Sequence, residues 1–110
     1  VTRATEAECQ ATIVEAAKLA GWRVHAERPA QGQRGEWRTH LQGHKGFPDL
    51  VLCRGSRLMF VELKRKPNRV EPAQQQWIAA LSAVGGVWAG VVWVPEEMDA
   101  FIAVLARRAA

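Results

Sequence analysis

The sequence predicts an α/β fold in which a mixed β-sheet is flanked by helices, with elements in the order αβββαβα. Three observations carry this prediction. Apolar residues recur at helical spacing in three separate segments. Two apolar runs flank Gly55-Ser56 as the arms of a hairpin, and a further apolar run, residues 87–94, follows a Gly85-Gly86 stop. At 110 residues the chain is expected to form one domain, and a hydrophobic content of 48% is enough for a core.

The first helix is expected over about residues 4–19, where Cys9, Ile13, Ala16, Ala17 and Ala20 repeat with helical period. Thr5 is placed to cap it, with Glu8 as capping-box partner, and Gly21 to end it. Residues 22–28 alternate, Trp22, Val24 and Ala26 against Arg23, His25 and Glu27, as a half-buried strand does. Residues 29–45 show no periodicity and carry glycines at 32, 35 and 43; a loop this long is often functional. The hairpin follows, with strands over 49–54 and 57–65; the first is apolar on both faces and is expected near the middle of the sheet. Pro72 is a good first-turn residue for a helix to about Val84, with Trp77, Ala80, Leu81 and Val84 as its buried stripe. After the strand at 87–94, Pro95 opens a last helix whose Met98, Phe101, Ile102 and Leu105 face the core. Cys9 and Cys53 fall at core positions and are expected to be reduced, buried thiols.

Chemistry enters through the hairpin register. A two-residue turn at Gly55-Ser56 pairs Cys53 with Leu58, Leu52 with Met59 and Val51 with Phe60. The same ladder, continued, sets Asp49 opposite Glu62. Opposed side chains on one face lie roughly 5 Å apart. Two carboxylates so placed repel each other unless a divalent cation sits between them. Lys64, two residues past Glu62, projects from the same face. A metal-binding acidic pair with an adjacent lysine is an apparatus for hydrolysing a phosphodiester.

Gly46-Phe47-Pro48-Asp49 followed by Glu62-Leu63-Lys64 resembles the PD-(D/E)XK nuclease superfamily. Thr5-Glu6-Ala7-Glu8-Cys9-Gln10, Gly21-Trp22 and Pro72-Ala73-Gln74-Gln75-Gln76-Trp77 flank that core in order. Together they resemble the virus-type replication-repair nuclease family, VRR-Nuc, over nearly the whole chain except the long loop. The resemblance implies a restriction-endonuclease-like core. It implies that Asp49, Glu62 and the Leu63 carbonyl ligate Mg²⁺ or Mn²⁺, and that a water acidified by the ion is the nucleophile. Lys64 then orients or helps deprotonate that water and steadies charge on the phosphate. A helix glutamate completes the acidic cluster. Glu6, which shares a face with Gln10, is the expected one, and Glu8, which projects with Thr12 and Glu15, is the competing candidate. Gln74 matches the family glutamine, with an amide to fix Lys64 or a phosphate oxygen.

A net charge of +4 and a pI near 9.7 favour a polyanionic partner. Lys45, Arg65, Lys66 and Arg69, with Arg34 and Arg38 of the loop, are expected to grip backbone phosphates, and His25, on the polar side of its strand, to touch DNA. His40 and His44 read as loop residues rather than ligands. No apolar run approaches the roughly 20 residues of a membrane span, and no signal-peptide pattern is visible. The expectation is an intracellular, cytoplasmic protein of a phage or bacterial host. Its expected activity is metal-dependent, structure-selective endonuclease cleavage of branched DNA, as in a Holliday junction resolvase, by a homodimer. The alternatives are a flap or sequence-specific endonuclease of the same fold, a nuclease subunit needing a partner, and a non-catalytic DNA-binding module.

Overall fold

The structure, a computed structural model, describes residues 4–27 and 41–108. Its elements follow the expected order: α1 (Glu6–Leu19), β1 (Arg23–Ala26), β2 (Leu50–Arg54), β3 (Arg57–Lys64), α2 (Pro72–Ser82), β4 (Val87–Trp93) and α3 (Met98–Ala106). The four strands form one mixed sheet in the order β1-β2-β3-β4. The first three are antiparallel, and β4 runs parallel to β3 because α2 carries the chain back between them. Residues 28–40 lie outside the described residues, and with them Arg28 of the expected strand and most of the long loop, including Arg34, Arg38 and His40.

The hairpin has the register that a two-residue turn dictates. Val51 pairs with Phe60, Leu52 with Met59 and Cys53 with Leu58, and Gly55 takes the φ of +60° such a turn needs. This register sorts the sheet into two faces. Leu50, Leu52, Met59, Val61, Leu63 and Val92 share one face and are buried there against Cys9, Ile13 and Ala17 of α1 and Phe101 and Leu105 of α3. The other face carries Val51, Cys53, Leu58, Phe60 and Glu62, and α2 covers its β3–β4 half.

At the start of α1 both hydrogen bonds of the capping box are present. The Glu8 amide donates to Thr5 Oγ1 at 3.1 Å, and the Thr5 amide donates to Glu8 Oε1 at 2.8 Å. At its far end Gly21 adopts φ +87°, so the chain turns directly into buried Trp22. The Trp22 indole donates to the Leu105 carbonyl at 2.8 Å, with the Arg54 and Arg57 guanidinium groups over its ring at 4.6 and 4.9 Å. Arg54 also donates to the carbonyls of Ala20, Leu105 and Arg107, joining the C-terminal ends of α1 and α3.

Four local expectations need correction. Cys53 is exposed, because α2 does not reach the β1–β2 half of its face. Ala26 is exposed at the end of the edge strand. The inner stripe of α2 is Ala73, Gln74, Trp77, Ile78 and Leu81, all only half-buried; Ala80 faces outward, and Val84 lies past the helix end and is exposed. Finally, α3 starts at Met98 and not at Pro95. The Glu97 amide donates to the Trp93 carbonyl at 2.7 Å, and the Trp93 amide to Glu97 Oε1 at 2.8 Å, which makes residues 94–97 a turn. Among the described residues no helix is long and apolar enough to cross a membrane.

Candidate active site

The β2–β3 ladder ends at Leu50↔Val61, and Asp49 and Glu62 are the next residues on each side. Asp49 is anchored there by the backbone: its Oδ2 accepts from the Leu63 amide at 2.9 Å, and its carbonyl accepts from the Glu27 amide at 3.3 Å. A strand residue's N–H and C=O point the same way. The Leu63 carbonyl therefore also lies on the Asp49 side of β3, while its side chain is buried in the core.

Glu62 is 3% exposed. Its Oε2 accepts from Gln74 Nε2 at 3.0 Å, and its Oε1, fully buried, has no hydrogen-bond partner among the described residues. The orientation of the Gln74 amide is chemically fixed. Its Oε1 accepts from the Glu71 amide at 2.8 Å, a group that can only donate, so its NH₂ must face Glu62. The first turn of α2 thus aims a donor at the acidic pair. Sequence reasoning aimed this amide at Lys64 or a phosphate; its partner here is Glu62.

Burial pushes the Glu62 carboxyl up to about 8, and the facing charge of Asp49 adds to the effect. Burial lifts Asp49 too, against the Leu63 amide, a hydrogen bond shared with the Glu62 carboxyl and the Lys64 charge, which favour its ionised form. Glu6, in the first turn of α1, is raised by burial and then by Asp49, and lowered by Lys64 and Arg65, so its carboxyl faces the same cluster. Glu8 is held in the capping box at the helix surface. Lys64 projects beside Glu62 and makes no ion pair within 4.0 Å among the described residues; its backbone carbonyl accepts from the Val94 amide at 2.8 Å.

Among the described residues no three His, Cys, Asp or Glu side chains close on one point as an all-protein metal cage. The donor set fits a different kind of site: two carboxylates, one of them with an unsatisfied buried oxygen, and a carbonyl beside them. Mg²⁺ and Mn²⁺ take few protein oxygens and retain several waters, which is what this set can offer.

The expected DNA contacts separate. Lys45, Lys66 and Arg69 are exposed. Arg65 is half-buried, its Nε donating to the Ala4 carbonyl at 2.9 Å, so it ties β3 to the start of α1. His25 is exposed on β1, one step down the same face from Asp49, with its Nε2 3.7 Å from Glu27.

Sequence reasoning missed how the Gly46-Phe47 segment is held. Gly46 has φ +93°, and a Cβ there would lie 2.7 Å from the Ala73 carbonyl carbon, so only glycine lets this segment meet α2. Phe47 makes edge contacts with Phe60 and Trp77, at centroid distances of 5.9 and 5.0 Å, and the Trp77 indole donates to the His44 carbonyl at 3.2 Å. The spacing of Gly46 before an aromatic and a proline was the available signal.

A mixed sheet between helices, with an acidic pair and a lysine at the end of its central hairpin, defines a domain of the restriction-endonuclease-like nuclease class. Residues 6–94 match the VRR-NUC domain model, and the chain belongs to that family of nuclease domains. The fold is similar to that of a solved "VRR_NUC domain protein", with a TM-score of 0.65 and 23% identity over 94% of this chain and 87% of the other. No curated protein sequence matches the chain.

Proposed function

We propose that the protein is a Mg²⁺- or Mn²⁺-dependent endodeoxyribonuclease that cuts branched DNA as a homodimer, in the manner of a Holliday junction resolvase. The observation that carries this reading is the pairing of Asp49 with buried Glu62, whose Oε1 accepts no hydrogen bond among the described residues. Two facing buried carboxyls are held together either by a shared proton, as the raised Glu62 carboxyl allows, or by a divalent cation, and the cation is the counter-charge that lets both ionise.

The chain's own groups divide the work. Asp49, Glu62 and the Leu63 carbonyl would hold the ion, with Glu6 of the same acidic cluster as the further candidate. Gln74 keeps one oxygen of Glu62 occupied and so would leave the other for the ion. When bound, the ion supplies Lewis acidity to the attacking water and to the phosphate. The Lys64 ammonium steadies negative charge on the phosphate and orients the attacking water. Lys45, Lys66, Arg69 and His25 hold the DNA. Cationic contacts of this kind go to the phosphate backbone and carry no sequence information, which favours selection by DNA shape. One acidic pair per chain makes one cut, so two symmetric cuts across a junction need two copies.

The test is cleavage of labelled four-way junction, flap and linear duplex DNA in EDTA, Mg²⁺ or Mn²⁺, beside Glu62→Ala. Metal-dependent cutting restricted to branched substrates and lost in the variant is the expected result. Equal cutting of linear duplex would refute structure selection. No cutting of any substrate, with DNA binding intact, would favour a binding module or a missing partner.

A further inference from the structure

Next to the acidic pair, residues 44–46 and the flank of α2 form an open cleft of about 360 Å³, lined by His44, Lys45, Ala73, Gln76, Trp77 and Ala80. That volume is in the range of small-ligand sites. Its chemistry is distinctive: an indole wall, a lysine, an imidazole and a primary amide, with no carboxylate in the lining among the described residues. The cleft is also preformed. Gly46 locks the segment onto Ala73, and the Trp77 indole donates to the His44 carbonyl, so both walls are fixed.

Its position links it to the cluster. Ala73 lines the cleft, and the next residue, Gln74, donates to Glu62. Lys45 precedes Asp49 by so few residues that their Cα atoms lie within about 14 Å, a few nucleotides at most along a strand. Among ligands that could reach both places, one combines a flat aromatic face with an anionic linkage on either side.

We propose that this cleft is a nucleotide subsite: it takes an unpaired nucleobase against Trp77, with the adjoining phosphate on Lys45. The proposal rests on the nuclease reading for its role and names the substrate feature that reading lacks, a single-stranded nucleotide beside the scissile bond. A paired base is held inside its stack and cannot enter. Stacking on an aromatic ring tolerates any base, so the subsite selects unpaired strand without selecting sequence. The Gln76 amide offers both a donor and an acceptor to a base edge.

The experiment is binding of a short single-stranded oligonucleotide carrying one 2-aminopurine, in EDTA so that nothing is cut, to the full chain and to two variants. Ala80→Leu fills the cleft from an outward-facing helix position without removing Trp77 or Gly46. Lys45→Ala removes the cation and leaves the walls. The expected result is fluorescence quenching with the unaltered protein and an affinity about tenfold weaker in each variant, while Ala80→Leu changes binding of a blunt duplex less than twofold. Equal single-strand affinity of Ala80→Leu and the unaltered protein, with both folded by thermal melt, would overturn the subsite; should Ala80→Leu not fold, Ala80→Met, which also fills the cleft, decides on the same readout. Cleavage of branched DNA in Mg²⁺ is measured separately. Quenching without cleavage leaves the subsite standing and the nuclease reading refuted; cleavage without quenching does the reverse.

Discussion

Replacing Glu62 with glutamine should make the metal-free protein more stable at alkaline pH while abolishing the site. The Glu62 carboxyl is raised from an ordinary 4.5 to about 8, by burial first and the Asp49 charge second. Between those values the folded chain holds a proton that the unfolded chain has released. Stability therefore falls as pH rises through this window, and the full cost is present above about pH 8. The interval bounds that cost at roughly 5 kcal/mol. Water entry and local relaxation reduce it, so the gain expected for Glu62→Gln at pH 9 is about 1–3 kcal/mol. The substitution is nearly isosteric. Its oxygen can accept from Gln74 Nε2 as Glu62 Oε2 does, and its NH₂ replaces the Oε1 atom that lacks a partner. The assay is thermal or urea unfolding of both proteins in EDTA from pH 4.5 to 9. For a domain of this size a gain of that order moves Tm by about 4–20 °C. The two curves should meet near pH 4.5 and diverge as pH rises. Added Mg²⁺ should then raise the Tm of the unaltered protein and leave the variant unmoved. Parallel curves across the range, or a variant less stable at pH 9, would refute the reasoning.

Three further outcomes follow from single contacts. Asp49→Ala and Lys64→Ala should each abolish metal-dependent cleavage while junction binding, measured by anisotropy, stays within about threefold, because phosphate contacts elsewhere carry the affinity; surviving cleavage in Asp49→Ala would sink the metal site. Gly46→Ala should cost about 2–4 kcal/mol by urea unfolding, since its Cβ would meet the backbone of Ala73 at 2.7 Å at a φ of +93° that strains any L residue. Thr5→Ala should lower stability by about 1 kcal/mol through loss of the bond to the Glu8 amide, a loss that Thr5→Ser should largely spare.

The hairpin and its acidic pair were legible because two-residue turns and alternating side chains leave one register. Once Gly55-Ser56 is a turn, Asp49 must fall opposite Glu62, and the helix cap at Thr5 is equally local. What was not legible depends on how far one element reaches over another. Cys53 and Leu52 look alike in an apolar run, and only the reach of α2 separates an exposed thiol from a buried leucine. The inner stripe of α2 was misphased because Ala80 and Val84 keep helical spacing with Trp77 but gain nothing from the sheet. Pro95 suits a helix start, and only the Glu97–Trp93 bonds show that a turn comes first. The partner of Gln74 needed the Glu71 amide, a backbone group with no sequence signal.

The placement of the helices bears on how the fold tolerates the acidic pair. β3 ends at Lys64, and each helix begins near that end of the sheet. The start of α1 is tied to Arg65 through the Ala4 carbonyl, the first turn of α2 reaches Glu62 through Gln74, and α3 starts one turn after the Val94–Lys64 bond. The partially positive N-terminal ends of α1 and α2 thus meet at Asp49, Glu62 and Glu6, and α3 starts from the same end of the sheet. Their C-terminal ends lie at the opposite pole, where Arg54 donates to the last carbonyls of α1 and α3. Helix ends alone do not neutralise the cluster, since burial still holds all three carboxyls above their ordinary range. A bound divalent ion would reverse that balance, ionising Asp49 and Glu62 and making the same end of the molecule attractive to a phosphate. Loading the ion should therefore release protons, and calorimetric titration of Mg²⁺ or Mn²⁺ near pH 7 in buffers of different ionisation enthalpy would count them. Binding with no proton release would mean that Glu62 is already ionised in the free protein.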